Sequence, residues 1–219
     1  MLLALLVKRN MSTKNKILDA AEVLFADKGF NGTSLREITS QAEVNLAAVN
    51  YHFGSKKELI KAVMSRYMNE LGPRLESALV TICTGETKPS LIEVFSAFIE
   101  PLLHLNSFKE NGTSTFLQLL GRGYTDSQGF LRWFLTTQYP NVFTGFTKAL
   151  KIAYPELSTE EMFWRLHFTM GTIVFTMSSS EALIDIAQND FDNKLDIAGV
   201  IERVIPYVAA GVAAPIAKV

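Results

Sequence analysis

A chain of 219 residues, 48% hydrophobic and 20% charged, can bury a sizeable core, which excludes an intrinsically disordered protein. A net charge of −1 excludes a chain that coats nucleic acid over its whole surface, and a lone cysteine, Cys83, excludes an intrachain disulfide or a cysteine-based metal site, as suits a reducing cytoplasm. The charge is uneven, because residues 1–70 carry ten Lys+Arg against seven Asp+Glu while the remainder is net −4, so one end is the better candidate to meet DNA.

The first ten residues open with seven apolar residues followed by Lys8 and Arg9. That charge order is the reverse of a secretory signal, and the run is too short to cross a bilayer. Met11 offers an alternative start, so residues 1–11 read as a misassigned start or a disordered arm. A helix is expected from Ser12 or Thr13, with Ile17, Ala20, Ala21, Leu24 and Phe25 on its apolar face and Gly29 as its C-terminal cap. Ser34-Leu35-Arg36-Glu37 is a capping box that opens a second helix burying Leu35, Ile38 and Ala42. Asn45 caps a short third helix that reaches about His52. Gly54 breaks the chain, and Ser55-Lys56-Lys57-Glu58 is a second capping box, opening a long helix that buries Leu59, Ile60, Val63 and Tyr67.

Gly72-Pro73 is expected to interrupt or bend that helix near a domain joint. Further helices are expected at about 90–105, 113–122, 126–153, 158–180 and 194–210, with Pro101, Pro140 and Pro206 kinking or ending their segments. Asn31-Gly32 and Asn111-Gly112 read as turns. The run 162–177 is apolar on nearly every face, yet Arg165 and His167 within it argue against a membrane span. It reads as a helix central to a core or shared between subunits. The fold class is therefore all-α: a three-helix helix-turn-helix domain at 12–58 and a helical ligand-binding and dimerisation domain at 59–219, with the fourth helix connecting them.

The stretch Gly29 to Leu59 carries the chemistry. On a helical wheel Leu46, Ala47, Asn50 and Tyr51 share one face, and Val49 lies opposite and packs inward. The outward face can enter a major groove, while Lys56 and Lys57 at the next helix start form a phosphate clamp. On spacing alone, a three-helix bundle without a ligand remains the alternative.

At these positions the chain resembles the TetR family of bacterial regulators. The resemblance rests on Ile17-Leu18-Asp19-Ala20-Ala21, Leu24-Phe25, Lys28-Gly29-Phe30, Thr33 to Ile38, Ala42 to Asn45 and Tyr51 to Leu59. It implies a homodimer of all-helical subunits acting on a double-stranded DNA operator. It also implies that Thr33 and Ser34 contact phosphate, that Asn45, Leu46, Ala47 and Ala48 sit at the mouth of the recognition helix, and that Tyr51, His52 and Lys56 bind backbone phosphates. Asn45, Ala47 and Asn50 depart from the usual Ser, Gly and Tyr, which leaves the operator sequence open. The run Val44 to Lys56, with Phe163 to Phe168 and Gly171, is similar to the PsrA-type subgroup, which is associated with fatty-acid signals.

For the second domain, Trp133, Phe134, Trp164, Phe168 and Phe175 are candidates to line an apolar cavity, each with plain core packing as the alternative. Arg122, Arg132 or Arg165 would hold an acidic head group, although Gly121-Arg122-Gly123 also reads as an exposed turn. The expected effector is a small apolar molecule such as a fatty acid or acyl-CoA, with a drug or another small hydrophobic molecule as the alternative. His52 has no second histidine nearby, His104 and His167 sit in apolar helices and read as core histidines, and no catalytic motif is present, so an enzyme, a cofactor, a metal and a membrane partner are all unexpected.

Overall fold

A computed structural model of the protein describes residues 12–215, with the backbone alone at Ser127, Gln128 and Ser178; the expectation for 1–11 lies outside the described residues. Among the described residues every regular element is an α-helix. In chain order these are α1 (Thr13–Gly32), α2 (Leu35–Gln41), α3 (Leu46–Phe53), α4 (Lys56–Thr84), α5 (Leu91–Ser96), α6 (Ile99–Phe108), α7 (Gly112–Gln138), α8 (Pro140–Ala153), α9 (Thr159–Ser178), α10 (Ser180–Phe191) and α11 (Ile197–Ala213).

The head, α1 to α3 with the start of α4, follows its local signals. Ile17, Ala21 and Phe25 of α1 are fully buried, as the i, i+4, i+8 spacing demands. Gly29 breaks α1 at φ 77°, ψ 172°, a backbone conformation essentially reserved for glycine. Ser34 and Glu37 close both halves of their capping box. The second box is only half formed: Ser55 accepts from the Glu58 N–H, but the Glu58 carboxylate turns to Lys61 at 2.7 Å instead of reaching back.

The body departs from the expected boundaries at several breakers. Pro73 lies inside α4, which runs unbroken past it. One interior proline costs about 3 kcal/mol, whereas burying a leucine gains about 1.5–3 kcal/mol. Leu71, Leu75 and Leu79 are all buried around that site, so the helix persists. Gly72 leaves room for the Tyr139 ring, 3.3 Å from where a Cβ would stand. Likewise α7 is continuous through Gly121-Arg122-Gly123, where a gap was expected. A Cβ on Gly123 would stand 2.7 Å from the Phe30 ring, so this glycine serves close helix approach, not a turn. The break falls later, at Tyr139-Pro140, where Pro140 takes the first position of α8.

Pro206 sits inside an unbroken α11, and Pro101 in the first turn of α6. The stretch Leu91–Phe108 is long and apolar enough on length and composition to pass for a membrane span, yet it is two helices, α5 and α6. The helix α10 was not expected at all. It follows a bend at Ser179 (φ −106°, ψ 11°) and leaves Leu183, Ile186 and Phe191 exposed.

One continuous core runs from Ile17 in the head to Val212 in α11. The helix α4 belongs to both parts, packing on α1 and α3 at its start and on α8 further along. The most extensive helix pair joins head to body: α1 against α7.

Candidate nucleic-acid interface

The recognition surface is built by two caps and a tight joint. After α2, Ala42 to Val44 turn the chain, with Glu43 at φ 55° and the Val44 N–H donating to the Thr39 carbonyl at 3.0 Å. Asn45 then caps α3 by accepting from the Ala48 N–H at 2.9 Å. The caps fix the rotation of α3. Val49 is fully buried and Phe53 nearly so, while Leu46, Ala47, Asn50 and Tyr51 are exposed, Tyr51 at 85%. Ala48 is half-buried. An outward face of Leu, Ala and Asn has the methyl, amide and small-side-chain groups that fit base edges. His52 packs edge-on against Tyr51, with ring centroids 5.0 Å apart, so the two rings stand as one unit beside that face. Lys56, half-buried, carries no ion pair among the described residues.

Two expected phosphate contacts have partners within the protein. Thr33 is 1% exposed, and its hydroxyl lies 2.8 Å from the Gly29 carbonyl and 3.0 Å from the Leu24 carbonyl. Its hydroxyl faces inward and locks the end of α1. Ser34 is exposed, but its N–H and hydroxyl both donate to Glu37 at 2.8 Å. The Ser34 N–H, then Lys28 at 2.9 Å and the Ser34 hydroxyl, hold the Glu37 carboxyl down to about 2. A carboxylate thus already occupies the start of α2, and a phosphate there would meet like charge.

Comparison with known proteins places both halves. Residues 17–63 match the model of bacterial regulatory proteins of the tetR family, and residues 96–211, more than half of the chain, match the tetracyclin repressor-like C-terminal domain. The chain belongs to the TetR family. YttP of Bacillus subtilis (strain 168), assigned as an HTH-type transcriptional regulator, is 39% identical over 84 residues, spanning 38% of this TetR-family chain and 41% of that relative. A Shewanella sp. PV-4 structure assigned to tetR family transcription regulation shares the fold at TM-score 0.58 and 16% identity, covering 90% of this chain and 96% of that one. A Clostridium perfringens structure assigned to regulation of fatty acid metabolism does so at TM-score 0.50 and 19% identity, covering 90% and 97%. The matched families and relatives are regulators, not enzymes.

The expected pocket residues of this TetR chain do not gather in one place. Arg122 points at the head, donating to the Asp27 carbonyl at 2.8 Å and the Ala26 carbonyl at 3.4 Å. There it caps the end of α1. Trp133 also faces the head, with the Lys61 ammonium 4.9 Å above its ring. Phe134 is buried core, packed on Phe130 and Tyr139. Arg165 is buried and spent on Glu161 at 3.0 Å and on the Val212 carbonyl, which ties α9 to the end of α11. Trp164, Phe168 and Phe175 form an i, i+4, i+11 row on the outer side of α9, where Phe168 is 66% exposed. A cleft of about 320 Å³ lies between α4 and the α7–α8 joint, lined by Asn69, Pro73, Glu76, Tyr139 and Asn141 among others. None of the eight pocket candidates borders it.

The sequence reading missed two structural features of the joint. Glu22, 1% exposed, pairs with Arg66 at 3.4 Å and with Lys109, while Arg66 also binds Asp19 at 2.7 Å. Beside it the buried Tyr67 hydroxyl has no hydrogen-bond partner among the described residues, and burial, with the Glu22 charge next, raises its pKa well above the ordinary phenol value. The other is the row Arg122, Asp126, Phe130 and Trp133 along α7, whose i, i+4, i+8, i+11 spacing was legible but was cut by the supposed turn. Asp126 accepts from the Asn31 N–H at 3.1 Å and so extends the row's hold on α1.

Proposed function

We propose that this chain is a homodimeric, ligand-responsive, DNA-binding transcriptional repressor acting in the cytoplasm, with residues 12–58 reading a palindromic operator and 59–219 sensing and dimerising. The observation that carries DNA binding is the outward face of α3, where Leu46, Ala47, Asn50 and Tyr51 are exposed over a fully buried Val49. In this reading Asn45, Leu46, Ala47, Ala48 and Asn50 meet base edges in the major groove, and Tyr51, His52 and Lys56 hold the backbone. One short recognition helix reads too few bases alone, so a two-fold dimer is needed. The exposed row Trp164, Phe168 and Phe175 on α9 supplies the self-complementary apolar face. Gel-shift titration of the protein's own upstream region tests the reading: salt-dependent binding as a dimer is expected, and no shift at any salt would overturn it.

The effector in this reading is an acyl chain with an acidic end, a fatty acid or acyl-CoA, as in the PsrA-type subgroup. The Clostridium structure of the same fold, assigned to regulation of fatty acid metabolism, supports it. Each buried CH₂ contributes about 0.8 kcal/mol. With Arg122 and Arg165 already bonded, Arg132, exposed on α7, is the remaining arginine for the head group. Titrating the DNA complex with fatty acids and acyl-CoAs of graded length, against cationic aromatic drugs, decides between an acyl effector and a drug.

A further inference from the structure

The two lysines at the start of α4 are not equivalent. Lys56 has no ion pair among the described residues, but the Lys57 ammonium lies over the Phe130 ring at 5.1 Å to the centroid. One turn further, Lys61 lies over Trp133 at 4.9 Å while also holding Glu58 at 2.7 Å. Phe130 and Trp133 are themselves stacked, 6.3 Å apart at 28°. Both rings stand on α7, on the row whose earlier members Arg122 and Asp126 grip the end of α1. One face of one body helix therefore touches both helices that flank α2 and α3.

We infer that Phe130 and Trp133 are positioning residues for the DNA-binding head: they hold the first two turns of α4 by paired cation–π contacts, and Lys57 serves this clasp and not the DNA backbone. A ring draws an ammonium through its quadrupole, and the charge keeps that geometry only while the ring stays beneath it. The contact therefore fixes where α4 begins relative to α7, and with it the angle at which α3 is presented. A leucine at either ring position keeps apolar volume and removes the π face. A methionine at a lysine position keeps the stem and removes the charge.

The inference rests on the DNA-binding reading for its functional half, so the experiment has two arms. In the first, DNA affinity is measured against salt. Lys56→Met is expected to lower the slope of log K against log salt by about 0.9, the value for one phosphate. Lys57→Met is expected to leave the slope unchanged and to weaken binding by about two- to fivefold. Phe130→Leu should do the same, and the Lys57→Met, Phe130→Leu double variant should be no weaker than either single. A slope lowered by Lys57→Met, or fully additive losses, overturns the inference. The second arm needs no DNA. Trp133 and Trp164 are the only two tryptophans, so Trp164→Phe leaves Trp133 as the sole indole reporter. Adding Lys61→Met to that variant should change the intensity and position of the Trp133 emission, because the neighbouring charge is gone. An unchanged emission refutes the clasp. Absence of DNA binding by the unaltered protein refutes the functional reading instead and leaves this arm to decide the clasp.

Discussion

In the head, the signals that end one helix and start the next act over three or four residues. Ser34 and Glu37 close α2's first turn between themselves, Asn45 caps α3, and Gly29 breaks α1 where it stands. In the body, the same kinds of residue do something else. Gly72-Pro73 and Gly121-Arg122-Gly123 lie inside long helices, where Tyr139 from the α7–α8 joint presses against Gly72 and Phe30 from α1 against Gly123. Gly29 breaks its helix through its positive φ, whereas Gly72 and Gly123 serve as contact points inside theirs. Only the first case is decided by nearby sequence.

The second contrast is in surface. The head leaves one aromatic prominently exposed, Tyr51, beside the proposed DNA face. The body leaves a row of them on α9, and Tyr207 of α11 is exposed as well. The largest expected effect separates these two surfaces. Phe168→Glu places a charge in the proposed dimer face, 66% exposed in the single subunit, so the subunit itself should stay folded. Sedimentation should show a monomer. DNA affinity should fall on the order of a thousandfold, since the second half-site is no longer tethered. A dimer that survives this change would place the interface elsewhere.

The next effect tests whether head and body share one stability. Arg66→Ala leaves Glu22, 1% exposed, with Lys109 as its remaining ion-pair partner. Removing one of the two cations bonded to this buried carboxylate is expected to cost about 1.5–3 kcal/mol, the value of a hydrogen bond to a charged group. Because Glu22 lies on α1, Arg66 on α4 and Lys109 just after α6, denaturant unfolding should remain a single transition at lower midpoint. A split into two transitions would show that the head unfolds by itself.

This cluster also marks what the sequence left hidden. Glu22 falls within the apolar stripe of α1, between Ala21 and Leu24, and on periodicity alone it reads as a surface residue. Its partners lie 44 and 87 residues away. The caps, the buried face of α1 and the rotation of α3 were legible because their causes are local. The continuity of α4 and α7, the existence of α10 and the burial of Thr33 were not, since each depends on what another helix brings. Thr33 in particular sits where the resemblance implies a phosphate contact, and only the Gly29 and Leu24 carbonyls of the folded α1 show its hydroxyl to be turned inward.

Gly29→Ala sits where the two kinds of signal meet, and its effect should be smaller. The backbone at φ 77°, ψ 172° strains any residue with a Cβ by about 1–3 kcal/mol. The new Cβ would also stand 2.5 Å from the Asp126 carboxylate, which must move off the Asn31 N–H it now accepts from. If the strain is only local, Gly29→Ala and Asp126→Ala will be additive in thermal melts. If the head–body seam is the cause, the double variant will be less destabilised than the sum of the two.

The smallest effect is the most local one, the Glu37 carboxylate on the head. Its folded pKa, about 2, is below its ordinary 4.5, owing first to the Ser34 N–H and then to Lys28. In this pH range the unfolded chain binds more protons than the folded one, so stability rises with pH between about 2 and 4.5. The contribution is complete above about 4.5 and is lost as pH falls toward about 2. Glu37→Gln keeps an oxygen that can accept from the Ser34 N–H but has no charge for Lys28 and nothing to titrate. The melting-temperature difference between the native protein and this variant should be constant from neutral pH down to about 4.5, then shrink steadily toward about 2. A difference independent of pH would mean that the box works by shape alone. A difference that changes between pH 5 and 8 would point to a group other than Glu37.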